Sequence, residues 1–149
     1  MSPHDLSPAG FKDPNSLFAY LVPTGGKVLL TSDEAKGALL RLGYTIEETR
    51  KDLRLLGLEA ESLDAIWWSD ANANYSIEDA FRILQSLFRA LRPKQGILVF
   101  SFSKESSAKE KKIPAWNVRT VMTLLRQTGL QLFHTFENQT DHLFFCQRL

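Results

Sequence analysis

Cysteine is nearly absent: Cys146 is the only one in 149 residues, which excludes a disulfide framework and any cysteine-rich metal cluster within the chain. Excess charge is lacking too. Lys plus Arg number 18 and Asp plus Glu 17, a formal net charge of +1, so bulk charge does not steer the chain toward nucleic acid or an anionic membrane. The histidines, His4, His134 and His142, share no metal-ligand spacing, and no metal site is expected. No apolar run approaches a membrane span. The first twenty residues carry His4, Asp5, Lys12 and Asp13, which excludes a signal-peptide stretch there. A Gly-x-Ser-x-Gly elbow, a Walker loop and a Cys–His pair are all missing. These absences predict a reduced, cytoplasmic protein with neither a nucleic-acid nor a membrane partner, and they leave its oligomeric state open.

What is present suits one globular domain. Hydrophobic residues make up 44% and charged residues 23%, and a chain of this length buries roughly 68–70% of its unfolded surface. Residues 1–16, rich in Pro, Ser and Asp, read as a loosely ordered arm before a single domain over 17–149. After the apolar piece LFAYLVP, KVLLTS is a compact apolar run bounded by turn residues, a buried strand. Ser32 or Asp33 can cap a helix over Glu34–Leu42, with Gly43 as its stop. Thr45 and Glu48 have capping-box spacing, and Ile46, Thr49, Leu53 and Leu56 share one helical face. Local rules therefore predict a helix up to Gly57, entered from a short extended piece at 44–46. LDAIWW, residues 63–68, is a second strand. Ser76 and Asp79 cap the clearest helix, whose stripe is Ile77, Ala80, Phe81, Leu84, Leu87, Phe88 and Leu91. GILVFSF, residues 96–102, is a third strand, and KESSAKEKK a solvated loop whose lysines, with Lys104 at their head, are diluted by Glu105 and Glu110. Val118, Val121, Met122 and Leu125 mark a last helix stopped by Gly129. LQLFHTF and HLFFCQR then form an antiparallel pair in which His134 and His142 could face each other. Strands alternating with helices until that hairpin predict a mainly parallel sheet covered on both faces. Any ligand should bind beyond the strands' carboxyl ends, at Thr31–Glu34 and Trp68–Tyr75.

The order of these pieces resembles the class I S-adenosylmethionine-dependent methyltransferases. The resemblance rests on GGKVLLTS, on ESLDAIWW followed by a polar loop and an amphipathic helix, and on Leu91-Arg92-Pro93-Lys94-Gln95-Gly96 before a strand. It extends to LLRQTGLQLFHTF and the final FFCQRL. It implies a shortened Rossmann-like methyltransferase fold, a parallel core sheet closed by a C-terminal antiparallel hairpin. The departures are local. Where the family has an acid and a Gly-x-Gly-x-Gly turn against the cofactor, this chain has Leu29-Leu30-Thr31-Ser32-Asp33-Glu34-Ala35-Lys36, with no glycine before Gly37. Only eighteen residues separate Tyr44 from Leu63, where the family fits an acid ending strand two, a helix and a third strand. Glu47 or Glu48 is the nearest counterpart of the ribose-binding acid, and both are better read as helix-N-terminus charges. The shortened pattern is similar to the amino-terminal domain of the anamorsins, a methyltransferase-like fold without the cofactor site.

Two functions from different classes follow. The favoured expectation is a pseudoenzyme: no catalytic residue, no bound cofactor, and a scaffold role toward another protein. The alternative is an active methyltransferase with an atypical loop, in which Ser32, Asp33, Glu34 and Trp68 would hold S-adenosylmethionine. Asn72, Asn74 and Tyr75 faintly resemble the Asn-Pro-Pro-Tyr substrate loop of amino-group methyltransferases, although turn chemistry explains the asparagines. Asp64 is read as a strand-entry residue binding backbone amides. Trp67 and Trp68 alternate across their strand, with core packing favoured over an aromatic wall for a ligand.

Overall fold

The computed structural model describes residues 13–104 and 116–149; residues 1–12 of the expected arm, and Lys109, Lys111 and Lys112 of the basic loop, lie outside them. Asp13 opens the first helix, α1 (Pro14–Leu21), by accepting from the Ser16 N–H, with Pro14 in the first turn where its missing N–H costs nothing. Pro14–Ser16, expected in the arm, are thus helical. The chain continues through β1 (Lys27–Leu30), α2 (Lys36–Arg41), β2 (Thr45–Glu48), a 3-10 turn at Leu53–Leu55, β3 (Ala65–Trp68) and α3 (Ala71–Asn74). It ends with α4 (Ile77–Ala90), β4 (Ile97–Ser103), α5 (Val118–Thr128), β5 (Leu130–Glu137) and β6 (Asp141–Arg148). The six strands form one sheet in the order β2-β1-β3-β4-β6-β5. The first four in that order are parallel, and β6 and β5 close it antiparallel.

Alternation splits the core into two layers. Trp68, Phe100, Phe144 and Cys146 point to the α4/α5 layer, and Trp67, Val99 and Phe145 to the α1/α2 layer. All seven are buried, as the two-layer expectation requires. Asp64 joins β3 to β1, accepting from the Lys27 N–H at 2.8 Å while pairing with Arg92 at 2.8 Å. That is its strand-entry role. Gly96 has no room for a side chain: a Cβ there would lie 2.6 Å from that of Leu91, so the tight return from α4 into β4 requires glycine.

Four expectations are corrected. The helix read up to Gly57 is instead strand β2 and a 3-10 turn, because Ile46 sits in register with Val28 and β1 needs a partner on that side. Helix α2 starts at Lys36 rather than Glu34, with no side-chain cap, since Ser32 and Asp33 are engaged elsewhere. Phe81 and Phe88 are half-buried; Ile83 and Ala90 take the inner face of α4. Phe88 instead reaches the turn at Gly129, whose φ of +94° only glycine adopts easily. His134 and His142 do not face each other: a register shift after Leu132 sets His134 opposite Phe145 and Glu137 opposite His142.

Candidate functional site

Because β1, β3 and β4 run parallel, their carboxyl ends meet at one edge, and two hollows open there. On the Trp68 face lies a crevice of about 180 Å³ between the ends of β1, β2 and β3, bordered by Thr31, Arg50, Ser69, Asn74 and Tyr75. On the Trp67 face lies a cavity of about 410 Å³ between the start of α1, Glu34–Ala35 and the β5–β6 hairpin.

The loop leaving β1 is fastened on both flanks. Toward β3, the Ser69 N–H donates to Thr31 Oγ1 at 3.0 Å, and Ser32 Oγ donates to Ser69 Oγ at 3.0 Å. Toward β2, Arg50 Nη2 reaches Asp33 Oδ1 at 2.7 Å, and Lys36 pairs with Glu48. Glu48 raises the Lys36 pKa by hydrogen bond and charge, so the lysine stays cationic. Ser32 and Asp33, two of the four cofactor candidates, thus bridge to neighbouring loops and do not themselves line the crevice. Glu34 lines the other cavity, and Trp68 is buried against Tyr75, Phe100 and Trp116. The four do not converge on one hollow.

The Asn72–Tyr75 segment is committed in the same manner. Asn72 donates from Nδ2 to the Ser103 carbonyl at 3.0 Å and accepts the Ser103 N–H on Oδ1 at 2.9 Å. Both ends of its amide hold β4. Tyr75 accepts the Leu53 N–H on its hydroxyl at 2.8 Å, and its carbonyl accepts from the Trp116 indole. Asn74 alone of the three simply borders the crevice. Sequence reasoning missed Arg50 and Lys36, because their partners become neighbours only when Thr45–Glu48 is a strand, and Ser69, because Thr31 and Ser32 come beside it only when β1 pairs with β3. Among the described residues, no group of His, Cys, Asp and Glu is placed to hold a metal ion, and no helix is long and apolar enough to cross a membrane.

No protein-family model matches the chain, and no curated protein sequence does. Solved structures do. A TehB-like S-adenosylmethionine-dependent methyltransferase from Corynebacterium glutamicum superposes with a TM-score of 0.67 at 16% identity, over 95% of this chain and 91% of that one. One from Methanosarcina mazei gives 0.64 at 10% identity, over 92% and 98%. The [4+2]-cyclase SpnF gives 0.65 at 10% identity, over 90% and 79%. At such identities the likeness concerns architecture, and the cyclase among the neighbours shows one architecture carrying more than one reaction name. The chain therefore has the Rossmann-like fold of the S-adenosylmethionine-dependent methyltransferases.

Proposed function

We propose that the domain is a cytoplasmic methyltransferase-like scaffold that does not hold S-adenosylmethionine and works by binding another protein. One observation carries this reading: the glycine-free loop after β1 is tied, beside the crevice, to the loops after β3 and β2 by Ser32–Ser69 and Asp33–Arg50. A ligand held by that loop needs backbone amides within contact distance, and side chains at 32–36 stand in the way. The group the fold implies does not fit these residues. The exposed ion pairs alone would not exclude it, since each is worth about 0–1 kcal/mol; the absent glycines and the committed Asn72 amide weigh more. The shortened sequence pattern between Tyr44 and Leu63, which resembles that of the anamorsin amino-terminal domain, is in keeping with the same reading.

The rival, a working methyltransferase, has one observation in its favour. Glu48 ends β2, where the family resemblance calls for the ribose-binding acid, although Lys36 and Arg50 lie on its carboxylate. Calorimetric titration with S-adenosylmethionine and S-adenosylhomocysteine separates the two. We expect no binding heat at sub-millimolar ligand. A clear thermal shift with the cofactor, abolished in Ser32→Trp, would overturn the proposal.

A further inference from the structure

The 410 Å³ cavity lies on the Trp67 face of the sheet and the crevice on the Trp68 face, and Asp70 at the sheet edge borders both, so Glu34 and Ala35 are the loop positions that report on the cavity alone. Its volume is within the usual range of small-ligand sites, which are apolar hollows with a few polar groups at the mouth. Trp67, Phe136 and Leu143 supply the apolar surface, and Glu34, Asp70, Glu137 and Asp141 the polar border. Among the described residues, no lysine or arginine lines it. Glu137 is neutralised by Lys104 at 2.8 Å. Glu34 and Asp70 form no ion pair with any described residue, and the Asp141 carboxylate accepts the neutral Thr140 hydroxyl at 2.8 Å. The start of α1 would favour an anion, but the Asp13 carboxylate already accepts the Ser16 hydroxyl and the Ser16 N–H, and those bonds lower the Asp13 pKa so that it stays charged. Burial lowers the pKa of His142, beside Glu137, so it adds no cation near neutrality.

We propose that this cavity binds an organic cation, an ammonium or guanidinium group on an apolar stem, with the stem against Trp67 and Phe136 and the charge between Glu34, Asp70 and Asp141. A concave border of like charges over an apolar wall concentrates counter-ions of that kind. The proposal goes beyond the scaffold reading and does not depend on whether the crevice accepts S-adenosylmethionine.

The test is protein-observed NMR on the full chain. The probes are pentylamine and agmatine as free cations, 1-pentanol as the neutral match, and N-acetyl-lysine methylamide against its norleucine counterpart. Expected are saturable shifts at the Trp67 indole and at the Glu34 and Ala35 amides with the cations only, weakening as salt is raised. The double variant Glu34→Gln/Asp70→Asn should weaken binding at least tenfold. Asparagine tolerates the left-handed conformation of residue 70, whose φ is +50°, so the variant should keep the wild-type spectrum elsewhere. Free amines binding alone would identify a small-molecule ligand; the lysine derivative binding too would admit a partner's side chain. Equal shifts with pentanol, unchanged affinity in the double variant, or cation-induced shifts confined to Thr31, Ser69 and Trp68 would overturn the proposal. Binding of S-adenosylmethionine at the crevice would overturn the scaffold reading alone.

Discussion

The Asp52 carboxylate accepts from Arg54 through both oxygens, at 2.6 Å from Nη2 and 3.0 Å from Nε. Those bonds hold its pKa down to about 2 from an ordinary 3.8. A folded value below the unfolded one means the contribution is fully present above the ordinary range and is lost as pH falls through about 2. The Asp52 carboxyl carbon should therefore titrate near 2, and Arg54→Met should move the midpoint back toward 3.8; a wild-type midpoint already at the ordinary value would refute the pairing. Arg148 does a different job. Its Nη1 donates to the Phe88 and Leu91 carbonyls at 3.0 and 2.6 Å, and its guanidinium carbon lies 4.3 Å from the centre of the Phe88 ring. It closes the C-terminal end of α4, where orphan carbonyls need donors. Arg148→Ala should cost about 1–3 kcal/mol from charged hydrogen bonds, read as a fall in Tm of roughly 2–4 °C per kcal/mol.

Among the elements, β2 shows most plainly where local rules give way. Residues 45–48 carry a helix-start signal, yet their backbone completes the ladder beside β1, with Thr45 and Thr49 donating to Gly26 and Leu30. A peptide of residues 44–57 taken out of the protein should turn helical in trifluoroethanol, by circular dichroism; a peptide that stays coil would mean the capping-box reading was itself wrong. Strands β1, β3 and β4 were legible because they are buried on both faces and so read as continuous apolar runs, as Ala65–Trp68 does. Helix α4 was legible in its start and end, but not in which aromatics it hides. Phe81 and Phe88 fit the stripe by spacing, whereas the line of closest approach runs through Ala80, Ile83 and Leu87. The site was legible only in outline. Alternation of strands and helices locates the ligand edge, but the partners of Ser32 and Asp33 lie 37 and 17 residues away. No local pattern encodes such pairs.

At the scale of the molecule, Cys146 reports on the intact sheet. It sits on β6, fully buried between β4 and β5 and facing α4 and α5, and burial pushes its thiol pKa well above the usual range. Its labelling by a thiol reagent in native conditions should track the global unfolding rate, not reagent concentration. Rapid, concentration-dependent labelling would show that the hairpin opens by itself. The position of β6 has another outcome. It follows β5 in the chain yet lies between β4 and β5, so β4 is synthesised well before its neighbour. At roughly 5–20 residues per second, the ribosome holds the Ile97–Ser103 edge bare for a period on the order of seconds before β6 emerges to cover it. In that interval the nascent chain displays Phe100 and Phe102 beside unpaired amides, a target for a chaperone waiting at the exit tunnel.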